Sequence, residues 1–459
     1  MASAASSGNL PPPSYTEKSD PRSELPAYGQ IHHSDPALHK VAQNVTKEFD
    51  YTIAKGGHPF LVMTLITTGP HLQDTPIFVE GSPVKGKIQL HLKKPDSISS
   101  VALTAKMFTG GPYAGYTTNA SKPSEFLNQT HTVWTQEEPH TALHGEYTWP
   151  FAIDLPKEVE IADKSHSQPK TFRLPQTFFE RFIQATIRYE IIVTVARKGI
   201  LHSNELSTPF AYIPVVQPPP LPPLRRLAYE EGTPILGPKV DPDGWYLPKP
   251  VQIEGSLFND HSVRAECRDK SAINIIQQLS YTRGSVIPLV MTLESDDSQL
   301  LDLLSSPEAI SVRTRRHISA HHGKPHGERP LHSVDHSQRA VWWRQTDDQT
   351  DRLRVLQGEI HLRPDIVPTS AMGDFSVNYN VVLFPFDVPS FKIKAEDLHD
   401  HSLLQQPINI VTAFASGPRP RMSTPADYTP NDKMDDADNL EKSDLLTATN
   451  DFYLSGGHD

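Results

Sequence analysis

Period-two alternation, broken by glycine and proline, constrains this chain more than any other feature of its sequence. Val84, Gly86, Ile88, Leu90 and Leu92 fall on one face of an extended strand, and Lys85, Lys87, Gln89, His91 and Lys93 on the other. Such a segment buries one face and wets the other. Beyond the turn residues Pro95 and Asp96 the alternation resumes at Val101, Leu103, Ala105 and Met107, so the two segments are expected as neighbouring strands of one sheet. Gly81 to Lys87 has the phosphate-loop spacing G-x-x-x-x-G-K. Ile88, however, stands where a Mg²⁺-binding hydroxyl is needed, and strand alternation follows where a helix N-terminus should face the phosphates. The segment reads as a turn entering a strand.

Forty-three prolines against seven methionines favour strands and loops over helices, and 459 residues leave room for two domains with their own cores. One cysteine, Cys267, excludes an intrachain disulfide and points to a reducing compartment. No run approaches the roughly 18 apolar residues of a spanning helix, and the N-terminus lacks the basic and apolar regions of a signal peptide, so a cytoplasmic protein without a transmembrane segment is expected. A net charge of −11 argues against general nucleic-acid affinity.

Residues 1–45, rich in Ser, Pro and charge without periodicity, read as a disordered tail. Short apolar runs broken by Gly, Pro and Asp then fill 46–216, the signature of an antiparallel sandwich. Pro218, Pro219, Pro220, Pro222 and Pro223 forbid a ladder and place a Pro-rich hinge at 217–244. The plan repeats in 245–416. Arg283-Gly284-Ser285-Val286 opens a strand as Gly81-Ser82-Pro83-Val84 did, and Ile310 and Val312 stand in the place of Val101 and Leu103. Val367-Pro368-Thr369-Ser370 followed by FSVNYNVVL mirrors Leu174-Pro175-Gln176-Thr177 and IRYEIIV. The fold class expected is all-β, two tandem antiparallel β-sandwich lobes from internal duplication, pairing Val84–Leu92 with Val286–Glu294 and Tyr189 with Tyr379. A His-rich insertion at 317–338 carries His317, His321, His322, His326, His332 and His336. Its spacings match no paired-ligand pattern, so it reads as a solvated loop and no metal is expected. Residues 417–459 read as an acidic disordered tail.

Two sandwiches joined by a Pro-rich hinge, with GSPVKGKIQLHL, GEYTWPFAIDLP and LPQTF in the first and YTRGSVIPLVMTL and VPTSAMGDFSVNYNVV in the second, resemble an arrestin. The chain is similar in particular to the α-arrestins, the arrestin-related trafficking adaptors. The resemblance covers roughly residues 55–415, while the long segments 112–144 and 317–338 exceed the family's usual loops. Nothing in the sequence shows the buried charge network that visual and β-arrestins use as an activation switch, and no receptor-binding residue is carried over.

The tails hold short motifs. Pro12-Pro13-Ser14-Tyr15 is a PPxY motif: adjacent prolines hold polyproline II before binding, so little ordering entropy is lost on docking to an aromatic-lined WW groove, with Tyr15 filling a second pocket. Leu25-Pro26-Ala27-Tyr28 is the LPxY variant, close enough to engage a tandem WW domain. Pro220 to Arg225 matches PxxPxR, an SH3 ligand pattern, but a stiff spacer is the preferred reading. Arg419, Ser423 and Pro425 make an R-x-x-x-S-x-P match for phosphate-gripping 14-3-3 proteins, or else belong to a basic linker. Glu441, Leu445 and Leu446 match an acidic dileucine signal for clathrin adaptors, a pattern that also recurs by chance in acidic tails.

There is no nucleophile elbow, H-E-x-x-H or paired-cysteine spacing. The resemblance implies a non-enzymatic adaptor without cofactor that links a WW-domain HECT ubiquitin ligase to the cytoplasmic face of transporters or receptors. It would promote their ubiquitination and endocytosis from the plasma membrane and endosomes. The alternatives are a cargo or pH-signalling scaffold that engages no ligase, and, from another class, a sandwich hydrolase built on loop carboxylates.

Overall fold

The computed structural model describes residues 46–68, 75–109, 124–137, 142–161, 168–180, 185–198, 203–249, 251–257, 261–267, 274–276, 279–320, 331–345, 350–389, 391–393 and 401–426. The first lobe contains β1 (Thr46–Lys55), β2 (His58–Thr68), β3 (Ile77–Val79), β4 (Val84–Asp96), β5 (Ile98–Thr109), β6 (Ser124–Thr135), β7 (Leu143–Ile153), β8 (Glu158–Ile161), β9 (Lys170–Arg173), β10 (Phe178–Glu180), β11 (Ala185–Arg197) and β12 (Asn204–Ile213). A helix, α1 (Pro223–Glu231), follows. The second lobe contains β13 (Trp245–Tyr246), β14 (Val251–Leu257), β15 (His261–Cys267), β16 (Asn274–Ile276), β17 (Ser280–Thr282), β18 (Val286–Glu294), α2 (Ser298–Leu304), β19 (Val312–Ala320), β20 (Leu331–Arg339), β21 (Val341–Arg344), β22 (Leu353–His361), β23 (Ser370–Met372), β24 (Phe375–Leu383), β25 (Phe391–Ile393) and β26 (Leu404–Val411).

The alternation behaves as expected: Val84, Ile88 and Leu90 are fully buried in β4, as are Val101, Leu103 and Met107 in β5. Their pairing differs from the expectation. β4 lies between β2 and β7, whereas β5 lies between β11 and β6 in the opposing sheet. β4 runs on to Asp96, leaving only Ser97 before β5, too short for a hairpin within one sheet. The chain crosses between layers there, and the β4–β7 register slips between Leu92 and Asp96, next to Pro95, which has no N–H to offer.

The duplication appears in the topology. One sheet of the first lobe has the order β3-β12-β11-β5-β6 with β10 on β11, and one sheet of the second has β17-β26-β24-β19-β20 with β23 on β24. In both, the first pair is parallel. Tyr189 donates its hydroxyl to Pro175 O at 2.6 Å, and Tyr379 to Val367 O at 2.7 Å. Thr177 and Thr369 each accept a backbone N–H through the hydroxyl, from Tyr212 and Ile410, both at 2.8 Å. Tyr189 and Tyr379 are therefore equivalent, and Ile310 and Val312 do stand where Val101 and Leu103 stand. The expected pairing of Val84 with Val286 is one residue off. Ser82 N bonds Val79 O as Ser285 N bonds Thr282 O, which aligns Val84 with Ile287.

The described parts of the His-rich segment, residues 317–320 and 331–338, are strand rather than loop. β19 and β20 pair antiparallel, with His317 opposite Val334 and Arg315 opposite His336. The His317 and His332 rings stack at 5.0 Å, and burial, then the neighbouring His332, lowers the pKa of His317. His321, His322 and His326 lie outside the described residues. Among the described residues no His, Cys, Asp or Glu group is arranged to hold a metal.

A continuous buried cluster runs through both lobes, joined where Phe178 meets Phe375 with ring centroids 5.4 Å apart. Beside that contact Arg316 reaches Glu180 at 3.3 Å and Asp335 at 2.8 Å, with Arg316 and Glu180 almost wholly buried. Val216 N donates to Thr412 Oγ1, and its carbonyl accepts from Thr412 N and Ala413 N.

Candidate functional site

The hinge is not an extended spacer throughout. Pro223 opens α1, where its missing N–H costs nothing, and Gly232 closes the helix at φ 70°, a left-handed conformation that glycine adopts without strain. α1 turns Arg225, Ala228 and Tyr229 inward. Arg225 is 1% exposed, with its guanidinium 4.6 Å from the Trp245 ring, and burial lowers its pKa. Burial likewise pushes the Tyr229 hydroxyl up to about 12. An SH3 domain reads an accessible arginine on extended chain. Here the arginine of the PxxPxR match is buried and its last proline is helical.

Between α1 and the second lobe lies a cavity of about 370 Å³. Trp245, Val290 and Trp343 supply apolar walls, and Gly358 and Glu359 of β22 form part of the lining. Gly358 is small because a Cβ there would stand 2.5 Å from the Trp342 ring. Glu359, the carboxylate among the described lining residues, is 1% exposed. A glycosidase needs two carboxylates flanking its substrate, and this cavity offers one.

One side of the cavity is closed by residues 418–426, which the sequence assigned to the acidic tail. Arg421, Met422 and Ser423 line it. Ser423 N donates to Glu359 Oε1 at 2.7 Å, while Thr424 donates to Glu359 Oε2 through its N at 3.2 Å and its hydroxyl at 2.7 Å. His361 Nε2 lies 3.0 Å from that hydroxyl. Hydrogen bonds to an ionised carboxylate are the strong kind, and three of them satisfy a charge that would otherwise be costly to bury. Arg421 packs against Gly232, at the electronegative end of α1. The strap is thus tied to β22 and to the hinge helix.

Of the candidate residues from the sequence, Arg419, Ser423 and Pro425 fall on this strap, with Arg419 stacked over the Phe414 ring at 4.7 Å. Pro12, Pro13, Tyr15, Leu25, Pro26 and Tyr28 lie outside the described residues, as do Glu441, Leu445 and Leu446. Sequence reasoning missed Glu359 and Thr424. No local signal marked Glu359, because its neighbours on the same face of β22, Gln357 and His361, are polar as well.

Residues 70–217 match the family model described as Arrestin (or S-antigen), N-terminal domain. Residues 70–217 thus carry an arrestin-like N-terminal domain, and the duplicated topology gives the described chain two tandem all-β lobes. A search of curated proteins gives no match. Among solved structures, the squid arrestin crystal structure aligns over 82% of this chain and 100% of its own, at 9% identity and a TM-score of 0.35. An arrestin-like fold supports an adaptor or scaffold kind of protein. No described helix is long and apolar enough to cross a membrane.

Proposed function

We propose that the protein is a non-enzymatic adaptor: its arrestin-like lobes bind cytoplasmic segments of membrane transporters or receptors, and Pro12, Pro13 and Tyr15 recruit a WW-domain HECT ubiquitin ligase. The observation that carries this reading is the PPxY motif, with its LPxY companion at Leu25, Pro26 and Tyr28, on the same chain as a duplicated arrestin-like fold. Ubiquitination and endocytosis of the cargo follow, with the adaptor moving from cytoplasm to plasma membrane and endosomes. The acidic dileucine at Glu441, Leu445 and Leu446 would engage clathrin adaptors in the same step. Arg419, phospho-Ser423 and Pro425 would engage a 14-3-3 protein, which reads extended chain and so competes with docking of the strap.

Pull-down of the full-length protein with isolated WW domains of a HECT ligase tests the proposal. Binding is expected for the wild-type chain, reduced binding for Tyr15→Ala and none for the double variant with Tyr28→Ala. Undiminished binding by the double variant would overturn it.

A further inference from the structure

We propose that Thr424 is a phosphorylation site for a proline-directed protein kinase, and that phosphate there ejects the strap from the buried carboxylate of Glu359. The inference stands on the strap alone and does not depend on ligase recruitment.

Pro425 follows Thr424 directly, giving the Thr-Pro step that this kinase class reads. The Thr424 hydroxyl spends its one proton on Glu359 Oε2 at 2.7 Å. A kinase transfers the γ-phosphoryl group of ATP to that oxygen: the O–P bond forms, the β–γ anhydride bond breaks, ADP leaves and the hydroxyl proton passes to the kinase's base. Afterwards Oγ1 has nothing to donate. A group carrying about −1.5 to −2 charges then stands against a carboxylate that is 1% exposed. Attraction becomes repulsion at a point where burial weakens screening. The His361 imidazole, 3.0 Å from Oγ1, carries at most one positive charge and cannot offset both anions.

The strap is built to be released. Pro418 and Pro420 sit within it, Met422 is 56% exposed, and Ser423 and Thr424 hold it through Glu359. Modification takes place on the open form, because in the docked form the hydroxyl is occupied. The phosphate then blocks reclosure and shifts the population. Release uncovers the cavity walls at Trp245 and Trp343 and frees Arg419 to Pro425 as extended chain.

The full-length protein should be treated exhaustively with ATP and a proline-directed kinase, the phosphate located by mass spectrometry, and exchange followed at the Ser423 and Thr424 amides. Exchange is expected to accelerate roughly tenfold or more, with a red shift of tryptophan emission as the cavity opens. Ser423→Ala should behave as wild type, and Thr424→Val should be indifferent to the kinase. In Glu359→Gln, which removes one of the two charges, the phosphate-dependent acceleration should fall below about threefold. Stoichiometric phosphate at Thr424 with unchanged exchange would overturn the proposal. So would a wild-type chain left unmodified at Thr424 after exhaustive treatment.

Discussion

The two lobes share one hydrogen-bonded skeleton and differ in what they hang on it. Tyr189 and Tyr379 tie the same corner, yet Met107, apolar and buried in β5, corresponds to Arg316, equally buried in β19. Gly86 faces Phe151 across β4 and β7, while at the equivalent place Leu289 faces Gly358 across β18 and β22: the small and large partners have changed sides. Backbone pairing and a few hydroxyl ties set the fold, and volume and charge are free to drift provided each site is satisfied locally. Arg316 has been used to bind the neighbouring lobe, since Glu180 belongs to β10 of the first.

The sharpest way to break the comparison is to make the second lobe like the first. Arg316→Met leaves Glu180 buried without that cation and should destabilise by about 3–5 kcal/mol in denaturant titration. Adding Glu180→Met, the residue that Met372 supplies at the equivalent place, should recover most of the loss in a double-mutant cycle. Recovery of less than half would mean that the pair does more than neutralise itself.

Glycine substitutions come next. A Cβ at Gly86 would lie 2.0 Å from the backbone oxygen of Thr64, which cannot move without opening the β2–β4 ladder, so Gly86→Ala should cost about 3 kcal/mol. At Gly358 the nearest neighbour is the Trp342 side chain, at 2.5 Å, and Gly358→Ala should cost less, about 1–2 kcal/mol. Thermal denaturation of the two variants checks the order. Smaller and matched between lobes, Tyr189→Phe and Tyr379→Phe each forfeit one buried hydrogen bond to a carbonyl, about 1–1.5 kcal/mol apiece. Burial holds the Tyr189 hydroxyl, and Tyr281 in the second lobe, well above the usual phenol range. The stability they confer is complete below the unfolded value near 10 and declines as pH rises beyond it. Both lobes should therefore weaken together in alkali.

Much of this was legible in the sequence because alternation and turn residues report which face is buried. The duplication followed from Gly81 and Gly284, and from Tyr189 and Tyr379, recurring in the same order. Alternation is silent on which sheet a strand joins, so β4 and β5 were misplaced: the deciding fact was a connection one residue long. The offset between Val84 and Val286 has a similar cause, since both Val286 and Ile287 are buried and neither marks the register. Polar composition misled at β19 and β20, where histidine and arginine sit on strands that pack at the lobe boundary. The strap was read as tail because its partner, Glu359, is some sixty positions away and contacts of that kind leave no local trace. The ligase-binding and dileucine motifs were legible only as motifs, and they remain proposals.

The smallest expected effects come from the crossovers between sheets, where the lobes differ most. In the first lobe β4 passes to β5 through Ser97 alone, and Asp96 at the strand end receives two parallel hydrogen bonds from Arg197: Nε to Oδ1 and Nη2 to Oδ2, both at 2.9 Å. In the second, residues 295–311 make the same passage through α2, and Asp297 caps it by accepting from Leu300 N at 3.0 Å. Each aspartate anchors the point where the chain leaves its sheet, one by an ion pair and the other by a helix cap. Asp297→Ala should cost about 1 kcal/mol, the ordinary worth of an N-cap. Asp96→Asn should cost about as much at neutral pH, with a signature that the cap lacks. The hydrogen bond from Arg197 lowers the Asp96 pKa below its ordinary 3.8, so this contribution is complete above that value and is lost as pH falls through the lower folded value. Denaturant titrations of the wild type and Asp96→Asn should therefore differ at pH 7 and converge in acid. A constant gap across that range would show that the Asp96 charge contributes nothing and that the crossover is held by packing alone.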